Sequence, residues 1–170
     1  IIAFKSIISN FQFPVKLQIP TLDFDYWKFT GAWKLEIGTF MAKLINNIKR
    51  LNKIANTIRQ NIIKMLLKAG SGHSAGPLGM ADVFTALYFN VLKHDPKRPN
   101  WKERDRVILS NGHICPVLYA AMARAGYFPV EELKTLRKFG TRLQGHPHRL
   151  ALPGLETSSG PLGSGLSQAA

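Results

Sequence analysis

Hydrophobic residues recur at alternating spacings of four and three between residues 43 and 69, the period of one face of an α-helix. These positions are Leu44, Ile48, Leu51, Ala55, Ile58, Ile62 and Met65. Most lysines and arginines of the segment fall outside this stripe, and Gly70 follows where a helix would be capped. The pattern predicts one long amphipathic helix over 43–69.

Shorter elements follow, separated by glycine-rich or polar residues. We expect a loop over 70–79 and then a helix over 80–93 with inward side chains at Met80, Val83, Phe84, Leu87 and Val91. The apolar run at 106–110 lacks polar alternation, which predicts a buried strand of a parallel sheet. A helix over 114–125 is then predicted, closed by Gly126.

The last third of the chain has weaker patterns. Pro129, Glu131 and Glu132 favour a helix start, and we predict a helix over 129–139. Residues 140–159 read as a long irregular loop, and a final helix follows Gly163. A strand between helices indicates an α/β fold with a mainly parallel sheet, helix-rich in the portion present.

The first 40 residues differ from the rest. They hold six of the ten phenylalanines and two of the three tryptophans, and they show no regular period. The first methionine is Met41. We expect 41–170 to form the domain, with 1–40 as upstream sequence or an extension of uncertain origin. The alternative is an aromatic-rich arm that packs on a partner.

Composition narrows the class of protein. The single cysteine among 170 residues excludes an internal disulfide and favours the cytoplasm. No apolar run approaches the ~20 residues of a membrane span, so we expect no membrane association. The net charge of +13 is spread over the chain without a run of five basic residues. We therefore expect a solvated basic surface and no nucleic-acid partner.

Four of the five histidines lie at boundaries between predicted elements, where α/β proteins bind ligands. They are His73, His113, His146 and His148, whereas His94 lies in a different turn and is expected to be exposed. No Cys-x-x-Cys or His-Glu-x-x-His spacing occurs, so we predict no metal site. Cys115 is interpreted as a buried structural thiol, not a nucleophile.

Two glycine-rich segments could let a phosphate approach the backbone. The first contains Gly72, Gly76 and Gly79, and the second contains Gly160, Gly163 and Gly165. Ordinary tight turns would show the same spacing. The phosphate interpretation gains weight because both segments accompany histidines at the boundaries of one α/β unit.

Four motifs in order and register resemble the N-terminal region of transketolase across residues 45–170. The first is Ser71-Gly-His-Ser-Ala-Gly-Pro-Leu-Gly-Met-Ala81, and the second is Asp105-Arg-Val-Ile-Leu-Ser-Asn-Gly-His113. Gly145-His-Pro147 and Gly154-Leu-Glu-Thr-Ser-Ser-Gly-Pro-Leu-Gly163 complete the set. The segment 133–147 looks most like split transketolases, whose N-terminal and C-terminal halves are separate chains.

This resemblance implies part of a thiamine-diphosphate-binding fold and transfer of a two-carbon ketol group between sugar phosphates. It implies catalytic roles for His73, His113 and His146. It also implies cofactor contacts from His113 and from the segment Gly160, Pro161 and Leu162. His148 departs from the family, where an acidic residue is common, and we assign it no role. Ser158 and Ser159 replace a usual threonine pair.

The same resemblance implies what other parts of the enzyme supply. The magnesium ligands are expected beyond residue 170, and a glutamate that activates the cofactor is expected on a C-terminal subunit or domain. We therefore expect an oligomer, and a chain that is inactive alone. Two alternatives stay open: another thiamine-diphosphate enzyme such as deoxyxylulose-phosphate synthase, and a non-catalytic remnant or assembly module.

Overall fold

The computed structural model describes the backbone of residues 2–5 and 31–170 and the side chains of residues 47–170. The elements are β1 (Ile2–Lys5), α1 (Gly31–Ala69), α2 (Ala75–Gly79), α3 (Ala81–Ala86), a π-helical segment (Leu87–Val91), β2 (Arg106–Leu109), a 3-10 turn (Gly112–Ile114), α4 (Cys115–Ala125), a 3-10 segment (Val130–Thr135) and α5 (Ser164–Ala169). Within these residues, none of the helices has the length and apolar character that crossing a membrane requires.

The long helix α1 is confirmed, and it begins earlier than expected, at Gly31. Four residues of the predicted stripe, Ala55, Ile58, Ile62 and Met65, are buried, whereas Ile48 is exposed. Gly70 ends the helix with a positive φ of 68°, as a C-terminal cap. The helix passes through Met41 without a break, and the boundary at residue 40 stays a prediction because most of 1–40 lies outside the described residues.

Helix α4 lies at the centre of the core. Every residue from Cys115 to Ala123 is buried, and α4 packs on α1 and α3. Phe84 and Tyr119 are the largest side chains that are fully enclosed. Gly126, with φ of 100°, ends α4 as predicted. Because α4 is enclosed from Cys115 to Ala123, the turn at its N-terminus is held in a fixed place.

The predicted strand lies at the expected position. Its pairing with β1 is antiparallel, however, and the predicted parallel direction is wrong for this pair. Strand β2 pairs antiparallel with β1, from Ile2 opposite Leu109 to Lys5 opposite Arg106. The apolar run at 106–110 indicated only that both faces are covered, and this pattern does not encode strand direction. Helix α5 contacts both strands, and Ala169 packs against Ile108.

One helix prediction and one loop prediction need correction. The helix expected over 80–93 is α-helical only to Ala86 and continues as the π-helical segment, which turns Val91 outward; Val83 is also exposed. The loop expected over 70–79 contains the short helix α2. The changed helical period explains why a 3.6-residue pattern misplaced Val91.

The helix expected over 129–139 is also wrong. The structure has a 3-10 segment that ends at Thr135, after which Arg137 takes a left-handed conformation with φ of 60°. Pro129 precedes this segment in an extended conformation. Residues 140–159 form turns and loops, as predicted, and the final helix is confirmed as α5.

Candidate functional site

The first histidine of the site is presented by the loop between α1 and α2. Gly72 has φ of 125°, and a Cβ atom there would lie 2.6 Å from Cδ2 of Leu66. A residue without a side chain is therefore required for the chain to turn tightly over the end of α1. The turn leaves His73 exposed beside the start of α2.

The second histidine follows the carboxyl end of β2. Asn111 leads into the 3-10 turn, and His113 is half-buried within it. The ring centroids of His73 and His113 are 5.0 Å apart, and the ring planes are inclined by 58°. Two histidines separated by 40 positions in the sequence are thus in ring contact.

The third histidine reaches the same place because Gly112 leaves room for it. A Cβ atom on Gly112 would lie 2.8 Å from Cδ2 of His146 and 2.7 Å from Cβ of Ser159. His146 and Ser159 therefore pack directly on the backbone next to His113. The structure brings together the three histidines that the sequence singled out.

The loop that carries His146 is anchored to α4 by two side chains. The Cys115 thiol donates to the carbonyl oxygen of Gly145 at 3.1 Å, and the Tyr119 hydroxyl donates to that of Gln144 at 2.9 Å. Burial raises the pKa of Cys115 to about 12, against the smaller opposing effect of the Arg137 charge. Cys115 is thus a neutral structural donor, which confirms the sequence interpretation.

The second glycine-rich segment is tied to the end of β2. The buried hydroxyl of Ser110 accepts hydrogen bonds from the backbone N–H groups of Gly163, at 2.8 Å, and Gly165, at 3.1 Å. The N–H of Ser159 donates to the carbonyl oxygen of Pro147 at 3.1 Å, which joins this segment to the histidine loop. The segment therefore lies beside the three histidines.

Within this segment Gly160, Pro161 and Leu162 form an open surface. Leu162 is 69% exposed, and nothing lies within 4 Å of a Cβ placed on Gly160. None of the three lines the cavity formed by the histidine loops. They follow Ser159, which lines the cavity, and precede Gly163, whose N–H is bonded to Ser110 at the carboxyl end of β2.

A cavity of about 940 Å³ opens between the histidine loops. Its lining includes His73, His146 and His148. Arg137 and Arg142, which lie in the chain before the His146 loop, also line it. Arg142 pairs with Glu132. Neither Arg137 nor Ser110 was predicted from the sequence as a site residue. Ser110 could have been found from its place at the end of a strand, but Arg137 lies in a segment read as regular helix.

His94 is not part of this site, and its predicted exposure is wrong. It is half-buried, with Nε2 2.8 Å from the carbonyl oxygen of Tyr88 and Nδ1 3.1 Å from the hydroxyl of Tyr127. Its ring stacks on Tyr127. Among the side chains of residues 47–170, no three of the histidine, cysteine and acidic residues are grouped so that they could hold a metal ion.

Comparison with known proteins extends the match beyond single motifs. The sequence model of the family described as "Transketolase, thiamine diphosphate binding domain" matches residues 50–170. A transketolase of Buchnera aphidicola is 47% identical over 118 residues, which are 69% of this chain and 18% of that protein. Transketolase 2 of Escherichia coli is 46% identical over 117 residues, with 68% and 18% covered.

One relative is itself a subunit. The 6-deoxy-6-sulfo-D-fructose transketolase subunit SqwG of a Clostridium species is 46% identical over 115 residues, which are 68% of this chain and 42% of that protein. The chain thus spans about a fifth of the longer relatives and less than half of this subunit.

Solved structures agree with the sequence matches. A transketolase from Leishmania mexicana superposes with a TM-score of 0.65 at 40% identity, over 68% of this chain and 17% of that one. A transketolase from Pichia stipitis in complex with sedoheptulose-7-phosphate gives the same TM-score, identity and coverage. The α/β class expected from the sequence is confirmed by these neighbours.

Proposed function

Since this chain belongs to the transketolase family, through its thiamine diphosphate binding domain, we propose that it supplies part of an active site for ketol transfer. The reaction would move a two-carbon ketol group from a ketose phosphate to an aldose phosphate. The observation that carries this proposal is the meeting of His73, His113 and His146 at the end of β2.

Ketol transfer breaks a carbon–carbon bond next to a carbonyl group and moves protons on and off the sugar oxygens. Imidazole donates or accepts a proton near neutral pH, and N–H groups stabilise a developing oxyanion. We propose that His73 and His113 contact the reacting part of the sugar, and that His146 binds the hydroxyl end of the donor. The exposed ring of His146 lines the cavity and is free to do so.

The chain's own residues fit thiamine diphosphate beside this cavity. When bound, that cofactor supplies the electron sink for cleavage of the carbon–carbon bond. We propose that His113 and the backbone of Gly160, Pro161 and Leu162 contact it. The open surface at Gly160 leaves space for a flat ring, and the Ser110 hydrogen bonds hold the adjoining backbone in place.

Magnesium and a partner chain belong to the same proposal. We propose that the magnesium ligands lie outside residues 47–170, where no three histidine, cysteine or acidic side chains are grouped to hold a metal ion, and no step is assigned to that ion. We propose that a C-terminal transketolase subunit or domain completes the site, in a homo- or hetero-oligomer, and that the chain alone is inactive. The similarity to a transketolase subunit supports a multi-chain assembly. We further propose that the protein is cytoplasmic, in keeping with its free, buried thiol. From its similarity to transketolases, we propose that it serves the pentose phosphate pathway.

A chimaera tests the function directly. Residues 50–170 would replace the matching segment of Escherichia coli transketolase 2, and ketol transfer between sugar phosphates would be measured. We expect activity in the chimaera and a fall of about 10²–10⁴-fold in kcat for His73→Ala, His113→Ala and His146→Ala. His148→Ala is the matched control, because His148 lines the same cavity and has no assigned role.

The outcomes separate the competing functions. A chimaera that folds and binds cofactor without transferring ketol groups would contradict the proposal and favour a non-catalytic module. Formation of deoxyxylulose phosphate would favour the other thiamine enzyme, although the relatives reported above are transketolases. For the chain alone, isothermal titration with magnesium and thiamine diphosphate should show no micromolar binding.

A further inference from the structure

Arg137 has an unusual backbone conformation at the edge of the histidine cavity. Among the described residues, Arg137 is the one residue other than glycine that has a positive φ, at 60°. Its N–H donates to the carbonyl oxygen of Leu143 at 2.9 Å, which closes the turn that leads to Gly145 and His146. Such conformations persist where the surrounding structure holds them, and they cluster at functional sites.

This conformation directs the Arg137 side chain between the two histidine loops. Its Cδ lies 3.9 Å from the place of a Cβ on Gly72. Its Nη1 and Cζ lie 3.1 and 3.3 Å from the place of a Cβ on Gly145. Gly72 and Gly145 immediately precede His73 and His146, so the Arg137 side chain passes the backbone that carries one ring and places its guanidinium against the backbone that carries the other.

The charge of Arg137 is not neutralised by a carboxylate among the described side chains. The neighbouring Arg142 is paired with Glu132, and the buried Arg104 is paired with Glu156. Arg137 has no such ion pair, and its side chain lines the cavity. An unpaired guanidinium with a planar set of N–H donors is suited to bind a phosphoryl group with two hydrogen bonds.

We propose that Arg137 binds the phosphoryl group of a ligand in the histidine cavity. The assignment rests on the proposed function, because that function makes both candidate sources phosphorylated: the sugar substrate and the thiamine diphosphate. Arg137 would fix the position of the ligand relative to His73 and His146, and the histidines would carry out the proton transfers.

The test is a titration of the full chain, followed by NMR at the amides of Gly145 and His146. Inorganic phosphate is the first probe, then ribose 5-phosphate and thiamine diphosphate, each at millimolar concentration. Ribose and thiamine, which lack the phosphoryl group, are the matched controls. The variants are Arg137→Gln, Arg137→Lys and Arg137→Gly, with Lys138→Gln as the control for loss of one exposed positive charge.

We expect Arg137→Gln and Arg137→Gly to weaken phosphate binding by about tenfold, and Arg137→Lys to weaken it less. Arg137→Gly also removes the left-handed strain, so a loss in that variant is not explained by misfolding. Lys138→Gln should bind as the wild type does. Saturation by ribose 5-phosphate alone would identify the sugar as the source, and saturation by thiamine diphosphate alone would identify the cofactor.

Three results would overturn the assignment. They are no phosphate binding by the wild-type chain, equal binding by Arg137→Gln, and an equal loss in Lys138→Gln. If the chimaera fails to transfer ketol groups but phosphate binding still depends on Arg137, the proposed function alone is refuted. If the chimaera transfers ketol groups but Arg137→Gln has no effect on phosphate binding, this inference alone is refuted.

Discussion

The hydroxyl oxygen of Ser110 accepts a hydrogen bond from the backbone N–H of Gly163 at 2.8 Å, and this bond joins the end of β2 to the second glycine-rich segment. The same oxygen accepts from the N–H of Gly165 at 3.1 Å. Ser110 is only 3% exposed, so water cannot easily replace the hydroxyl. One buried side chain therefore sets the distance between this segment and the histidine turn.

Ser110→Ala should destabilise the chain by about 1–3 kcal/mol, because a buried N–H group loses its acceptor. Denaturant unfolding measures the free energy, and hydrogen exchange at the Gly163 and Gly165 amides should become faster. Ser167→Ala is the control, since Ser167 is exposed on α5. Unchanged exchange at both glycine amides in Ser110→Ala would show that the hydroxyl does not hold the segment.

The sequence predicted the elements whose signals are local and strong. The stripe from Ala55 to Met65, the cap at Gly70 and the strand at 106–109 are confirmed. The pairing of β2 with β1 depends on residues about a hundred positions apart, and no local pattern encodes it. The 3-10 segment before Arg137 was predicted as an α-helix from Pro129, Glu131 and Glu132, and these signals of a helix start do not distinguish a 3-10 helix from an α-helix.

The histidines of the site were found from their motifs, but their proximity was not derivable from spacing. His73, His113 and His146 meet because Gly72 permits a tight turn and Gly112 permits close packing. Arg137 was missed because its role depends on a backbone conformation that has no signal in its residue type. Its left-handed φ becomes visible only in the folded chain.

Gly112→Ala should push His146 and Ser159 away from the histidine turn. The new methyl group would lie 2.8 Å from Cδ2 of His146 and 3.0 Å from the backbone carbonyl carbon of Ser159, and a backbone neighbour cannot yield easily. Overpacking of this kind costs about 1–3 kcal/mol. Denaturant unfolding gives the free energy, and NMR contacts between His146 and residue 112 report the displacement.

Gly79→Ala is the matched control for this substitution, because nothing lies within 4 Å of a Cβ at Gly79 in α2. Replacing a helical glycine by alanine should raise the free energy of unfolding by about 0.5–1 kcal/mol. Equal effects of the two substitutions would contradict the close packing at Gly112.

Cys115 should resist thiol reagents in the folded chain. Burial raises its pKa from the ordinary value of 9.0 to about 12, so at pH 8 the native thiol is almost entirely protonated. The rate of modification should therefore follow the unfolded fraction and increase sharply in denaturant. Rapid labelling of the native chain at pH 8, at the rate of an unfolded control, would contradict this environment.

The same shift predicts a loss of stability at alkaline pH. Between pH 9 and 12 the unfolded chain releases the Cys115 proton while the folded chain keeps it, so the free energy of unfolding should fall as the pH rises through this window. Below pH 9 this contribution is fully present. In Cys115→Ala the decline should be shallower, and an identical decline in both proteins would show that the thiol is not the source.

Among the described carboxylates, Glu156 should be the one whose loss lowers the free energy of unfolding most. It neutralises two arginines, one just before β2 and one at its first residue. It pairs with Arg104, whose side chain is only 8% exposed, and with Arg106 at 2.9 Å. Glu156→Gln would leave Arg104 buried without its counter-charge, at a cost of about 3–5 kcal/mol. Glu132→Gln breaks the more exposed pair with Arg142 and should cost less than about 1 kcal/mol.

The comparison of these two variants also concerns the site. Glu156 lies three residues before Ser159, which packs on Gly112 beside His146, so loss of the buried pair should loosen the histidine cluster as well as lower the free energy of unfolding. Hydrogen exchange at the Ser159 amide, bonded to the carbonyl oxygen of Pro147, should become faster in Glu156→Gln and stay unchanged in Glu132→Gln. If both variants unfold at the same denaturant concentration, the Arg104–Glu156 pair does not hold the segment 152–159, and the buried side chains of Leu152 and Leu155 hold it instead.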